Sequence, residues 1–260
     1  MRIVFNDLAD ALGTATRESV EQLGSIALFF WRIIQAIPSC LKRFHLIVEQ
    51  MMLLGVTSIP IVLLTSVFVG AVSAWQVQYL FADAVPLTYL GAAVGKAVFT
   101  ELGPVLTALV ITGRVGAKLA AELGTMRVTE QVDAMTCLSL DPYCYLLAPR
   151  MIAGVLMLPV LTIFSAFFAI VSAQLISQFA LGLSSAIFFQ GLKLLFKVQD
   201  VVVCLVKATV FGGVIALSGC YYGFLTHGGA VGVGNSTKRA VVAAMVLILI
   251  SNMIVVNIIL

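Results

Sequence analysis

Five long apolar stretches divide the chain and predict five membrane-spanning helices. They cover residues 50–80, 86–112, 147–181, 201–225 and 240–260. Each matches or exceeds the ~20 residues that a helix needs to cross the hydrocarbon core of a bilayer. Pro60 and Pro159 each remove a backbone hydrogen bond and are expected to kink the first and third spans. The pattern predicts an all-α integral membrane protein, with one membrane domain over residues 1–260.

The segment before the first span, residues 1–48, predicts a helix of a different kind. Arg32 makes a full crossing costly, so a helix lying in the plane of the membrane is the better interpretation. Pro38, Lys42 and Arg43 then indicate a turn at the headgroup surface. The apolar positions of this helix recur at helical spacing, at Val20, Leu23, Ala27, Phe30, Ile34 and Ile37.

A polar island, residues 113–142, separates the second span from the third. Leucines and valines at i, i+4 and i+8 predict a short amphipathic helix that starts near Val115. Gly124 is expected to end this helix, and Thr125 to cap the start of a second one that Asp141-Pro142 terminates. Arg127 and Glu130, at i and i+3, are spaced for an ion pair.

Two uses of this polar island remain open from its pattern. An amphipathic two-helix segment that returns to the membrane suits a docking surface for a soluble partner. It equally suits a loop helix that rests on lipid headgroups.

The composition supports a membrane protein and excludes other classes. Hydrophobic residues make up 61% of the chain, charged residues only 10%, and the mean hydropathy is +1.11. Soluble domains are about half apolar and about a quarter charged. A net charge of +3 gives no electrostatic support for binding nucleic acid. The five cysteines lack CxxC spacing, so neither a metal site nor a disulfide framework is predicted.

The distribution of Lys and Arg predicts the orientation of the chain. These residues concentrate in the N-terminal segment, in the polar island with its flanks, and at Lys238 and Arg239. The turn at 82–85 has none. The positive-inside rule therefore predicts a cytoplasmic N-terminus and a cytoplasmic island. The segment 226–239 is expected to be a glycine-rich loop, and it lacks the spacing of a phosphate-binding loop.

Lys96, Glu101 and Lys207 lie well inside predicted spans, away from their ends. Glu101 precedes Arg114 by about 20 Å of helix, which places it well inside the membrane. An ionisable group there is expected to be paired or to line a polar cavity. Lys96, five residues away on the same helix, points elsewhere, and Lys207 is the candidate partner across helices. A structural pair beside Pro104 and a part in a transport path are both open.

The run from Glu101 to Met135 closely resembles the signature of the MlaE/YrbE family, the permeases of ABC lipid transporters that work with MCE-domain proteins. Three elements carry the resemblance: Glu-Leu-Gly-Pro at 101–104, Gly-Arg-x-Gly at 113–116 and Glu-x-Gly-x-Met-x-x-Thr-Glu-Gln at 122–131. The similarity covers essentially the whole chain. Lys96 and Lys118 depart from the small or apolar residues of the family pattern.

The resemblance implies a homodimeric permease in a bacterial inner membrane. The polar island would be the coupling helix that sits in a groove of a separate cytoplasmic ATPase, and ATP and Mg²⁺ would bind that ATPase, with no cofactor on this chain. The residues that match the coupling region are Arg114, Glu122, Gly124, Arg127, Thr129, Glu130 and Asp133.

The family also implies a cargo and further partners. Phospholipid would bind between the protomers and move between inner and outer membranes, which maintains outer-membrane asymmetry. A periplasmic MCE-domain protein would sit above the dimer, and a STAS-domain protein could bind the ATPase. The candidate lipid-binding residues by position are Val67, Val72, Trp75, Gln78 and Tyr79, although Trp75 and Tyr79 also suit an interfacial aromatic belt.

Two other functions are weighed against this one. A stand-alone ion-coupled carrier would use Glu101, Lys96 and Lys207 as its charge relay. An intramembrane lipid-modifying enzyme would need paired catalytic carboxylates, a His-rich motif or a nucleophile constellation, and the spans supply none of these.

Overall fold

The computed structural model of the chain describes residues 21, 24–81 and 85–259, and no strand occurs among them. Six of the helical segments in these residues are long and apolar enough to cross a membrane, which confirms an all-α integral membrane fold. The α-helices, in chain order, are α1 Gly24–Leu41, α2 Phe44–Leu54, α3 Ile59–Phe81, α4 Leu90–Ala97, α5 Gly103–Ile111, α6 Ala117–Val128, α7 Gln131–Cys137, α8 Ala148–Phe179, α9 Ser185–Leu195, α10 Val198–Phe224 and α11 Gly229–Ile259.

Short turns of other helix types join several of these helices. Two are 3₁₀ turns, at Val56–Ser58 and Leu87–Tyr89, and three are π-helical turns, at Val98–Leu102, Thr112–Gly116 and Tyr143–Leu147. Because the π turns continue the helix, Leu87–Val128 is one unbroken helical segment of 42 residues. The first half of the polar island is therefore the end of the second span.

Helix α8 matches the third predicted span and α10 matches the fourth. The predicted loop 226–239 is wrong in most of its length, since α11 begins at Gly229. The turn is confined to Leu225–Gly228, and Gly228 and Gly229 adopt φ angles of +87° and +67°, which L-residues with side chains disfavour. The following glycines are helical because an apolar helix of 31 residues outweighs their low helix propensity.

The first predicted span is interrupted, but not where the sequence predicted. The irregular stretch lies at Gly55–Ser58, between α2 and α3, and Pro60 is the second residue of α3. In the first turn of a helix the missing N–H of proline has no intrahelical partner to lose. Pro60 therefore begins a helix instead of kinking one.

Helix α1, predicted to lie in the membrane plane, packs one face against the start of α8 and the end of α10. Phe29, Ile33 and Cys40 are buried on this face and join a cluster with Leu147 and Tyr221. Phe30 and Ile34, from the predicted apolar stripe, are exposed on the other side, and Val20 and Leu23 lie outside the described residues. The turn at Lys42 and Arg43 is confirmed. Because α1 is also long and apolar enough for a crossing, its interfacial placement stays a prediction.

The bundle has two ends, which we name by what lies there. At the island end, the α6–α7 segment meets the α10–α11 turn, where Thr226 contacts Gly124. At the opposite end, the start of α4 lies against α9, where the Thr88 carbonyl faces Gly191. Helix α8 connects the two ends and packs against both α3 and α10.

Helices α3 and α11 leave broad apolar faces without a partner in the described part of the chain. On α3 the exposed apolar residues recur at helical spacing. On α11 the buried residues are only Ala240, Ala244, Ile248 and Val255. Such faces are the ones available to lipid or to a second subunit. The exposed α3 residues are Leu64, Phe68, Val72, Trp75 and Tyr79.

The close contact of α3 with α8 depends on Gly70. A Cβ atom on Gly70 would lie 1.9 Å from the carbonyl oxygen of Ala169, so the helices would have to separate. We expect Gly70→Ala to cost about 1–3 kcal/mol, because overpacking forces backbone shifts. For a protein of this size each kcal/mol of lost stability lowers the melting temperature by about 2–4 °C. The melting temperature of the purified variant should therefore fall by several degrees.

Gly234→Ala in α11 is the matched control for Gly70→Ala, because no atom beyond its chain neighbours and its own helical backbone lies within 4 Å of the position of its added Cβ. It should leave the melting temperature unchanged or raise it slightly. Equal melting temperatures for the two variants would contradict the assigned α3–α8 contact.

Candidate functional site

The polar island breaks at Thr129–Glu130, five residues after the predicted position. Helix α6 continues through Gly124 and Thr125 to Val128, and Glu130 adopts φ +58° before α7 begins at Gln131. A non-glycine residue in the left-handed region is uncommon and identifies a turn that its surroundings hold in place. The exposed corner of the island is thus Thr129–Gln131.

Gly124 does not cap a helix because it serves a packing contact. A Cβ atom at this position would lie 2.9 Å from Oγ1 of Thr226, so the α10–α11 turn can close onto α6 only over a glycine. The hydroxyl of Thr125 donates to the Ala121 carbonyl within the helix, at 2.8 Å. The Thr125 hydroxyl is therefore not available for the predicted cap, and Gly124 lies within α6 instead of ending it.

Arg127 pairs with Asp133 and not with Glu130 as the i, i+3 spacing predicted. The guanidinium also lies 5.8 Å from the centre of the Phe224 ring. Because the turn at 129–130 folds α7 back, Asp133 reaches Arg127 although it lies six residues later. This pair ties the two island helices together and leaves the Glu130 carboxylate without an ion pair in the described residues.

Two open clefts flank the Arg127–Asp133 pair. One, of about 460 Å³, lies between α7, the α7–α8 connection and Phe224. The other, of about 280 Å³, lies between Glu130 and the α10–α11 turn, where it is lined by Thr226 and His227. The island corner therefore projects between the two clefts, and this shape suits docking against a protein surface of complementary shape. His227, which was not among the predicted site residues, belongs to this surface.

Glu122 points along the helix bundle and connects α6 to α8. Its carboxylate lies 3.6 Å from Nζ of Lys118 and 3.6 Å from a guanidinium nitrogen of Arg150. Arg150 is buried, and it also donates to the Leu146 carbonyl at 2.8 Å. This network attaches the island helix to the first turn of the third span.

The predicted coupling residues thus divide by accessibility. Glu122 and Arg127 are half-buried and Gly124 is buried. The exposed ones are Arg114, Thr129, Glu130 and Asp133. The island end can present the exposed side chains to a partner, while Glu122, Gly124 and Arg127 set the shape of the surface.

The predicted pairing of Glu101 with Lys207 is confirmed. Nζ of Lys207 donates to Oε1 of Glu101 at 2.6 Å, and the amide of Asn252 donates to Oε2 at 3.0 Å. The Lys207 side chain is fully buried, whereas 43% of the Glu101 side chain is exposed. Three spans therefore meet at one carboxylate. Lys96 is exposed and makes no ion pair with a described residue.

Pro104 explains why the lysine reaches this place. Proline has no N–H to donate to the carbonyl four residues earlier, which is that of Thr100. Nζ of Lys207 donates to this carbonyl at 2.7 Å, in addition to its bond with Glu101. The π turn Val98–Leu102 widens the helix at the same point. The lysine thus binds both a partly exposed carboxylate and a carbonyl that proline leaves without its helical donor.

Three of the five candidate lipid-binding residues line one cleft at the opposite end. Trp75, Gln78 and Tyr79 line it together with Leu80, Phe81, Val85 and Leu87, and its volume is about 590 Å³. Val67 and Val72 are exposed on the same helix but do not line the cleft. The carbonyl of Val67 instead accepts a hydrogen bond from Ser172 of α8, at 2.6 Å.

Comparison with known proteins gives a consistent family assignment. The profile of the family described as "Permease MlaE" matches residues 47–258. A probable ABC transporter permease protein of Rickettsia conorii is 37% identical over 253 residues, which are 97% of each chain.

Other organisms carry similar proteins. A probable ABC transporter permease protein of Synechocystis is 42% identical over 238 residues, 88% of this chain and 90% of its own. One from the red alga Porphyra purpurea is 35% identical over 226 residues, 87% of this chain and 86% of its own. With a family profile that spans most of the sequence and relatives of nearly equal length, this multi-pass membrane protein belongs to the MlaE family of ABC transporter permeases.

Proposed function

We propose that this chain is the membrane subunit of an ATP-driven transporter that moves phospholipid between the inner and outer membranes and so maintains outer-membrane lipid asymmetry. The observation that carries the proposal is the island end. It presents an exposed, charged corner between two clefts, and this corner continues the unbroken helix Leu87–Val128. A soluble partner that binds this corner can displace the helix Leu87–Val128, which extends to the opposite end of the bundle.

The partner proposed for the island end is a cytoplasmic ABC ATPase on a separate chain. The sequence has no phosphate-binding GxxxxGK[ST] motif, so ATP hydrolysis is assigned to that partner. The island and the N-terminus would then face the cytoplasm, with the chain in a bacterial inner membrane. A STAS-domain protein bound to the ATPase and a periplasmic MCE-domain protein over the opposite end complete the proposed assembly.

A homodimer is the proposed form of the permease, with the apolar faces of α3 and α11 as the surfaces available to the second subunit. The cleft beside Trp75, Gln78 and Tyr79 continues the exposed face of α3. A site with aromatic and amide groups suits a lipid near its glycerol and headgroup, because such side chains combine an apolar body with a polar tip. Phospholipid is therefore the proposed cargo at this cleft.

The proposal is tested with the permease and its ATPase reconstituted in vesicles that contain a fluorescent phospholipid. Lipid movement is expected to require ATP and both chains. The variant Trp75→Ala/Tyr79→Ala should slow it about thirtyfold, because the two lost aromatic contacts together cost on the order of 2 kcal/mol. Phe179→Ala, which truncates an aromatic residue that is 81% exposed and lies outside the cleft, should have no effect.

A second candidate, the ion-coupled carrier, is supported by the Glu101–Lys207–Asn252 group within the bundle. The same vesicles distinguish the two functions. Lipid or solute movement that follows a proton gradient in the absence of the ATPase would favour the carrier and overturn the ABC assignment of the transport step.

A further inference from the structure

An apolar groove of about 400 Å³ runs along the outside of the bundle, separate from the α3 cleft. It lies between α8, α9 and the π turn Val98–Leu102. Lys193 is the one charged residue among the described residues that line it. Its apolar walls include Phe99, Ile163, Phe167, Phe189 and Leu192.

Lys193 is held in place by close packing of α9 on α4. A Cβ atom on Gly91 would lie 2.1 Å from the Phe188 carbonyl oxygen, and one on Gly95 would lie 2.0 Å from Cδ1 of Leu192. The same Cβ atom on Gly91 would lie 3.1 Å from the backbone nitrogen of Leu192, and the Thr88 carbonyl faces Gly191, so α9 crosses the first turns of α4 near the opposite end. Lys193 follows Leu192 directly and therefore lies close to that end of the bundle.

At that end Lys193 has no counter-ion in the described part of the chain. Its side chain is exposed, and the ion pairs of the described residues involve other residues. A lysine on the membrane surface directs its ammonium group toward the headgroup region, while its stem lies on apolar surface. An anionic oxygen from outside the chain is the natural partner for this ammonium group.

The shape of the groove favours a lipid chain over a partner helix. Transmembrane helices pack closely where small residues line the contact, whereas these walls are phenylalanine, isoleucine and leucine. The rings of Phe99 and Phe196 meet edge to face at 5.1 Å and give the groove a fixed boundary. The volume falls in the range of sites that hold small ligands, about 300–1,000 Å³.

We propose that this groove binds one phospholipid of the surrounding bilayer, with an acyl chain against the apolar walls and the phosphate on the ammonium group of Lys193. The site is distinct from the α3 cleft and does not depend on the identity of the transported cargo. It is a stationary lipid site on the permease.

The test is lipid binding to the purified, delipidated full-length chain, measured by native mass spectrometry with two probes of identical acyl chains. One probe is phosphatidylglycerol and the other is diacylglycerol, which lacks the phosphate. Lys193→Gln should weaken phosphatidylglycerol binding about fivefold, which corresponds to about 1 kcal/mol for one lysine near a membrane surface, and leave diacylglycerol binding unchanged.

Two further variants separate the headgroup from the groove. Ile163→Trp fills the groove and should weaken binding of both probes. Lys197→Gln removes an exposed lysine four residues away that does not line the groove, and it should weaken neither. All measurements are repeated in the Trp75→Ala/Tyr79→Ala background, which weakens binding at the α3 cleft.

Equal effects of Lys193→Gln and Lys197→Gln would overturn the site, as would unchanged binding of both probes to Ile163→Trp. Because the measurement uses the permease alone, it does not depend on the ATPase. Failure of lipid transport in the reconstituted system would leave this result untouched.

Discussion

Lys207→Met should destabilise the permease by about 3 kcal/mol, the largest loss of stability that we expect from a single substitution. The methionine has nearly the same length but cannot donate to Glu101 or to the Thr100 carbonyl. Breaking a buried ion pair on one side costs about 3–5 kcal/mol, because the remaining charge stays uncompensated. The lower value applies here, since Glu101 is partly exposed and keeps its bond to Asn252.

The melting temperature of the purified protein measures this loss. For a protein of this size about 3 kcal/mol corresponds to a decrease of about 6–12 °C. Lys193→Met is the matched control, since Lys193 is exposed and unpaired among the described residues, and its effect should be within about 0.5 kcal/mol.

The double variant Glu101→Gln/Lys207→Met tests whether charge is the cause. A neutral amide no longer needs a counter-charge, so the double variant should be more stable than Lys207→Met alone. If the two variants melt at the same temperature, the lysine stabilises the bundle through the Thr100 carbonyl and not through Glu101.

Charge reversal at the island corner should abolish stable binding of the ATPase proposed above. Glu130→Lys places a cation at an exposed position that lines the smaller of the two clefts. Truncation or reversal of a charge that becomes buried in an interface costs about 2–5 kcal/mol, which is at least about thirtyfold in affinity. Co-purification of the ATPase with the permease is the measurement.

Glu130→Asn separates the charge from the backbone at this corner. Asparagine tolerates the left-handed conformation that Glu130 adopts, so this variant removes the carboxylate without straining the turn. It should weaken ATPase binding less than Glu130→Lys does. Full binding by both variants, in correctly folded protein, would show that the corner does not contact the partner.

Arg127 requires a different design because it already has a partner within the chain. Arg127→Asp should weaken ATPase binding by placing two carboxylates together with Asp133. The exchange Arg127→Asp/Asp133→Arg restores an ion pair of opposite polarity. Recovery of binding would assign Arg127 the task of holding α7 in place, whereas continued loss would place its guanidinium in the interface.

The long-range features of the fold followed from the sequence, while several local boundaries did not. Apolar runs indicate the position and order of the five membrane-length helical segments after α1, because each backbone polar group in hydrocarbon must be satisfied within its own helix. The pairing of Glu101 with Lys207 followed from the cost of an isolated ionisable group in the membrane. Both predictions rest on energies larger than the preferences of single residues.

The errors occurred where tertiary contact decides the conformation. Gly124 has the propensity of a helix terminator, but the close approach of Thr226 from the α10–α11 turn favours a glycine within α6. Glu130 has no propensity for the left-handed region, yet it forms the break. The partner of Arg127 depends on that break, so an error of five residues also led to the wrong ion pair. Spacing rules cannot supply such information, because they describe one regular helix at a time.

The unbroken helix from Leu87 to Val128 has a mechanical consequence. Its 42 residues span about 63 Å, roughly twice the thickness of the hydrocarbon core. As a rigid lever pivoted near its middle, it would move each end by about 3 Å for a tilt of only about 5°. Its two π turns, at Val98–Leu102 and Thr112–Gly116, are the places where such a lever would bend. The stiffness of those two turns therefore determines how far one end of the helix moves when a force displaces the other end.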